Sequence, residues 1–208
     1  MEQQRNRRAQ QTHERIRAAA HRLFLQQGYL ATSIDAILAE ASISSRETLY
    51  RHYASKEDLF VDVLRHLTLE QPGFSATLAA LPPPQDLPAL RQALTQLSRE
   101  LLAMMRQPEY LALVRIIIAE APRFPQLGAL FAATVPQRGI AIIIALLHGA
   151  REQQLIADID IEAVTHALLG GLLTYAIPSL IVPGEQAPPA LERADALVEV
   201  LMRALTPP

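Results

Sequence analysis

Between Ser33 and Phe60 the chain leaves room for little except three short helices meeting at tight turns. Ile34, Ile37, Leu38 and Ala41 fall on one side of a first helix, and Ser33 is placed to cap it by accepting a hydrogen bond from an unpaired backbone N–H. Ser42-Ile43-Ser44-Ser45 supplies the turn, because serine oxygens satisfy backbone groups that a stopped helix leaves open while Ile43 anchors the turn in the core. A second helix is expected from Arg46 to Tyr53, with Leu49 and Tyr53 facing inward and Arg46, Glu47, Tyr50, Arg51 and part of Thr48 facing outward. Ser55 then opens a third, with Asp58 at the reciprocal capping-box position and two acids in the first turn, where the helix dipole favours them.

The outward face of the second helix has the chemistry of a DNA reader. Arginine bonds the O6 and N7 of guanine bidentately, a threonine methyl meets a thymine methyl, and a tyrosine hydroxyl bonds phosphate. Against the acids of the third helix stands Lys56, the one lysine in a chain with eighteen arginines. A cation beside the exposed N–H groups of a helix start is expected to clamp a phosphate.

From about Ile16 through Leu64 the chain resembles the DNA-binding domain of the TetR/AcrR family of bacterial transcription regulators. The resemblance is carried by Ala19-Ala20, Leu23-Phe24, Gly28-Tyr29, Thr32-Ser33, Ile37, Thr48-Leu49-Tyr50, Tyr53, Ser55-Lys56-Glu57 and Leu59. It implies DNA contacts from Thr32 or Ser33, Thr48, Tyr50, Arg51, His52 and Lys56, and Ser45 and Arg46 at the start of the second helix complete the DNA-facing set. The stretch departs from the family pattern in three ways: Leu38 replaces a small residue, Ser42 replaces the turn glycine, and one extra residue precedes Thr48.

The absence of cysteine excludes disulfides and thiolate zinc. Net charge is −2, but residues 1 to 30 carry six arginines and two acids, whereas residues 66 to 208 carry nine arginines and thirteen acids. The positive end therefore coincides with the reader, and Arg5, Arg7 and Arg8 are read as a flexible arm or a frayed terminus. No apolar segment follows the basic start, so no signal peptide is expected and the protein is placed in the cytoplasm. Ala163 to Gly184 is apolar enough on paper to span a bilayer, but Gly170-Gly171, His166, Pro178 and Pro183 favour a buried helix in a dimer interface.

The remainder reads as helices, giving an all-α chain with a helix-turn-helix domain over residues 1–65 and a helical effector-binding and dimerisation domain over 66–208. Helix 1 is expected from Thr12 to Gln27, ended by Gly28 at positive φ. Leu59, Phe60, Val63, Leu64 and Leu67 give the fourth helix its stripe, and Pro72-Gly73 and Leu81-Pro82-Pro83-Pro84 break the chain after it. Leu87, Leu90, Leu94, Leu97, Leu101 and Met104 then mark a long amphipathic helix, and Tyr110 to Ala121 a central one apolar nearly all round. Gln126 to Arg151 forms either one kinked helix or two meeting near Thr134 to Gln137; Asp160 caps another to about Ile177, and the last runs from Pro189 to Leu205.

Two late helices with long apolar faces can pair with their two-fold copies, and a palindromic DNA site requires two readers at fixed spacing. The resemblance implies the same homodimer, released from its operator by a small lipophilic effector. Met104, Tyr110, Arg115, Phe131, His148 and Tyr175 are candidates to face an effector cavity, with plain core packing as the alternative for each. An enzyme built on Glu162 and His166 is the rival class, but no second histidine stands at ligand spacing and no phosphate loop or nucleophile elbow appears. No metal or cofactor is implied. An architectural DNA binder without a ligand is the third possibility.

Overall fold

The computed structural model describes residues 1–68, 83–134, 136–182 and 190–206. Among the described residues there are ten helices and no strand: α1 (Glu2–Ala31), α2 (Ile34–Glu40), α3 (Arg46–Tyr50), α4 (Lys56–Thr68), α5 (Leu87–Met105), α6 (Pro108–Glu120), α7 (Pro125–Thr134), α8 (Pro136–Glu152), α9 (Ile161–Ile181) and α10 (Glu192–Leu205). The breaks expected at Pro72-Gly73 and Leu81-Pro82, and the expected start of the last helix at Pro189, lie outside the described residues.

α1 corrects the expected start. It begins well before Thr12, whose hydroxyl donates to the Arg8 carbonyl at 2.9 Å as a residue inside a helix does. The backbone of residues 5, 7 and 8 is therefore helical rather than a flexible arm, consistent with a run of arginine, glutamine and alanine that favours helix. Gly28 breaks α1 at φ 82°, ψ 172°, a conformation that no side chain beyond hydrogen adopts readily, and a short turn follows to Ala31.

One compact unit gathers residues 1–67 together with 112–132. Its core combines Ile16, Phe24, Tyr29, Ile37, Leu49, Leu59, Phe60 and Leu64 with Leu113, Ile117 and Leu127 from much later in the chain. The second unit, residues 68–111 with 133–208, holds α5, α8, α9 and α10. In it α10 lies along α5, and α9 touches α5, α8 and α10. α5 starts on Asp86, whose carboxylate accepts from the Ala89 N–H at 2.7 Å, and buries Leu90, Leu94, Leu97, Leu101 and Met104 at alternating spacings of three and four. α7 and α8 are two helices, each opening on a proline, the position where a missing N–H costs least.

α9 opens on Asp160, which accepts from the Ala163 N–H at 3.0 Å, and continues through Pro178 to Ile181, beyond the expected Ile177. Ile161, Thr165, Leu168, Leu172 and Ala176 are buried, while Leu173, Ile177 and Ile181 are exposed. By length and composition this helix could cross a membrane. Gly171 admits Leu197 of α10 so closely that an added Cβ would stand 3.0 Å from that side chain, whereas the space beside Gly170 is open.

Candidate nucleic-acid interface

α2 is fixed at both ends. Ser33 accepts from the Ala36 N–H at 3.1 Å, the expected cap. At the other end Ser42 stands at φ 53°, in the left-handed region. The Ile43 N–H bonds the Leu38 carbonyl at 2.8 Å and the Ser42 N–H bonds that of Ala39 at 3.0 Å, the paired bonds of a Schellman ending. A glycine suits that position, so Ser42 does the turn glycine's work at a steric cost. α1 reaches across twice: Arg15 donates to the carbonyls of Ala41 and Ser42, and Arg22 pairs with Glu40 at 2.8 Å. Part of the positive charge near the reader is thus spent inside the unit.

α3 begins at Arg46, with Ser45 at its N-cap position. The turn between α2 and α3 thus runs from Ala41 to Ser45, and Thr48, Leu49 and Tyr50 lie within α3. Leu49 is fully buried and Tyr53 nearly so, while Arg46, Glu47, Tyr50 and Arg51 are exposed and Thr48 and His52 half-buried. Arg46 grips Asp35 of α2 bidentately, its Nε donating to Oδ1 at 2.7 Å and a terminal nitrogen to Oδ2, and these bonds hold the Asp35 carboxyl below its ordinary range. Arg51 lies 3.5 Å from Glu47, one turn back.

The turn after α3 is tied to Asp62, a buried acid on α4. Its carboxylate accepts from the Tyr53 hydroxyl at 2.8 Å and from Arg65, and lies 3.3 Å from His13 Nε2 and 3.8 Å from Arg17. Burial, together with Asp62, pushes the Tyr53 hydroxyl far above the ordinary phenol range. His13 stacks on Tyr53 with ring centroids 5.1 Å apart and meets His52 edge-on at 5.7 Å. Burial, then the neighbouring His13 and Arg51, lowers the His52 imidazole.

Two sequence-predicted residues stand differently from the expectation. Thr32 is fully buried, donating to the Gly28 carbonyl at 2.7 Å, which leaves Ser33 as the exposed member of the pair. Lys56 points its ammonium inward: Nζ donates to the carbonyls of Tyr29 at 2.8 Å and Thr32 at 2.9 Å and sits 4.1 Å from the centre of the Tyr29 ring. Desolvation there lowers its pKa. The ammonium expected on a phosphate thus stands in hydrogen-bond contact with the joint between α1 and α2. Asp62 and Arg15 are missed by sequence reading; the signal for Asp62 was an acid three residues after Leu59, on the inward side of α4.

The six effector candidates belong to both units. Phe131 packs on the core of the first unit, where Arg115 also belongs; Met104 and Tyr110 are buried in the second, Tyr175 is half-buried and His148 exposed beside Arg151. Burial pushes the Tyr110 hydroxyl up to about 12. An open groove of about 830 Å³ along α5, lined by Leu87, Arg91, Gln92, Thr95 and Arg99 among others, includes none of them. His166 turns its Nδ1 to the Glu162 backbone carbonyl at 2.8 Å rather than to that residue's carboxylate.

Residues 16–63 match the model for bacterial regulatory proteins of the tetR family, and residues 92–204 match that for the C-terminal domain of AefR-like transcriptional repressors. No curated protein matches the chain. Among solved structures it is similar to a TetR-family transcriptional regulator from Mesorhizobium loti, at 27% identity and TM-score 0.71, covering 96% of this chain and 98% of that one. A flavonoid-responsive regulator, FrrA, is 30% identical with TM-score 0.71, covering 94% and 97%. A TetR regulator from Agrobacterium tumefaciens shares the fold at 19% identity and TM-score 0.72, covering 93% and 94%. The family consists of regulators rather than enzymes, which removes the reading built on Glu162 and His166. A capped helix-turn-helix with an outward polar face, followed by an AefR-like helical domain, identifies the chain as a member of the TetR family of ligand-responsive, DNA-binding transcriptional regulators.

Proposed function

We propose that the protein is a cytoplasmic repressor that binds a palindromic operator as a homodimer and leaves it when a small lipophilic effector binds. The observation that carries this reading is α3: a helix pinned by Leu49 and the Tyr53–Asp62 bond, with Arg46, Tyr50 and Arg51 exposed along its outer side. In a helix-turn-helix that side enters the major groove, and two copies one helical turn apart match a palindrome. Ser33, Ser45, Thr48 and His52 lie near enough in sequence to share the contact, while Thr32 and Lys56 act by holding the joint.

The exposed Leu173, Ile177 and Ile181 of α9, with Val200 of α10, support dimerisation, since a membrane-free helix with so apolar a surface gains by covering it. Residues 1–65 would carry the reading function and 66–208 effector binding and pairing, although residues 112–132 pack with the reader. Similarity to a flavonoid-responsive regulator makes aromatic polyphenols the first effector class to test.

Selection of bound sequences from a random DNA pool by the purified protein tests the reading. An enriched palindrome, with a dimer in sedimentation and release of that DNA by a polyphenol that also raises Tm, is the expected result. Enrichment of no sequence rejects operator binding, and a bound compound that leaves operator affinity unchanged rejects the coupling.

A further inference from the structure

Arg46 and Asp35 form a bidentate pair across the two helices of the reader, yet both side chains stay open to solvent, at 61% and 63% exposure. An exposed pair contributes little to stability. Its geometry does more. The guanidinium presents five N–H donors in a fixed plane, and Asp35 takes the side formed by Nε and one terminal nitrogen. Three donors remain. Two of them, one on each terminal nitrogen, are parallel and form the end-on fork that fits O6 and N7 of guanine.

Position supports the same conclusion. Arg46 is the first residue of α3, and in helix-turn-helix proteins the N-terminal residues of the recognition helix reach the base edges. Asp35 lies in the first turn of α2, a helix held by the Ser33 cap and by Arg15 and Arg22, so the carboxylate is a fixed anchor. Arg51, by contrast, lies against Glu47 of its own helix at 3.5 Å and has no such cross-helix anchor in that pair.

We propose that Arg46 reads a guanine in each operator half-site, and that Asp35 is its positioning residue, fixing the guanidinium plane before DNA arrives. The proposal rests on α3 being the recognition helix. An arm free to rotate would lose entropy on every encounter; a guanidinium already held by Asp35 loses less and discriminates more sharply. The negative charge of Asp35 also opposes phosphate, so the pair gives up some general affinity for selectivity.

Sequence selection and competition binding are run on the full-length wild type, Arg46→Ala, Arg46→Lys and Asp35→Ala, with Tm measured for each. The wild type should enrich a guanine at one position per half-site. Arg46→Ala should lower preference there by about 5- to 150-fold while the other positions keep theirs. Arg46→Lys keeps the charge but not the fork, and should lose guanine preference by a larger factor than it loses affinity for random DNA. Asp35→Ala should bind random DNA as well or better, yet discriminate less at that one position. Equal loss across all sequences, or an unchanged consensus in Arg46→Ala, overturns the proposal. If the wild type enriches nothing, the recognition-helix reading fails and the proposal with it; a wild-type consensus that is indifferent to Arg46 sinks the proposal alone.

Discussion

The hydroxyl of Tyr53 donates to the buried carboxylate of Asp62 at 2.8 Å, and through that bond the turn following α3 is fastened to α4. Asp62 also collects Arg65, Arg17 and His13, so one acid from α4 gathers cations and rings from α1 and the α3 turn.

Removing that acid leaves the Tyr53 hydroxyl without its acceptor and the neighbouring arginines without their counter-charge. Asp62→Ala is expected to cost about 3 kcal/mol of stability, and Tyr53→Phe about 1–2 kcal/mol because Asp62 keeps its other partners. Urea denaturation of both variants checks the order; equal losses would mean that the hydroxyl bond alone holds the turn.

The lowered His52 pKa fixes a sign for pH dependence. Its imidazole takes up a proton less readily in the native chain than at its ordinary value of 6.5, so the unfolded chain binds more protons in that window. Stability from this group should therefore decline as pH falls through 6.5 and level off below the native pKa. Thermal melts of wild type and His52→Asn across pH 7.5 to 5 should diverge in that direction, with the variant showing the shallower slope.

Lys56 gives a prediction that separates a phosphate contact from a structural lock. With Nζ on two carbonyls and over the Tyr29 ring, Lys56→Met should weaken binding to all DNA sequences and lower Tm, while the slope of log affinity against log salt falls by well under one unit. A full unit of lost slope at unchanged Tm would place the ammonium on a phosphate.

Ser42 carries a removable strain. Its left-handed backbone costs a side-chain-bearing residue about 1 kcal/mol, part of which glycine returns through the freedom it adds to the unfolded chain. Ser42→Gly should gain about 0.5 kcal/mol, a rise of about 1–2 °C in Tm, whereas Ser42→Val should lose about 1–2 kcal/mol. Calorimetry on the pair tests the sign of each.

What the sequence disclosed was mostly local. Ser33 and Asp160 could be read as caps because a cap is decided within three residues, and Leu49 and Tyr53 could be turned inward by helical spacing alone. Lys56 was legible as a helix-start cation but not as a lock, since its direction depends on carbonyls 27 and 24 residues away. Thr32 looked like a surface residue until the Gly28 break folded it under the joint. The effector candidates meet the same limit: apolar spacing could identify Met104 as buried and Phe131 as packed on a core, but not which cavity either faces.

Leu113, Ile117 and Leu127 close the core around Tyr29 and Phe60, and they arrive from the far side of residues 68–111. A ribosome adding about 5–20 residues per second delivers Leu67 seconds before Leu127. During that interval the nascent helix-turn-helix has its caps and turns but lacks one wall of its core. Completion of this unit is thereby postponed until residues 68–111 have been made.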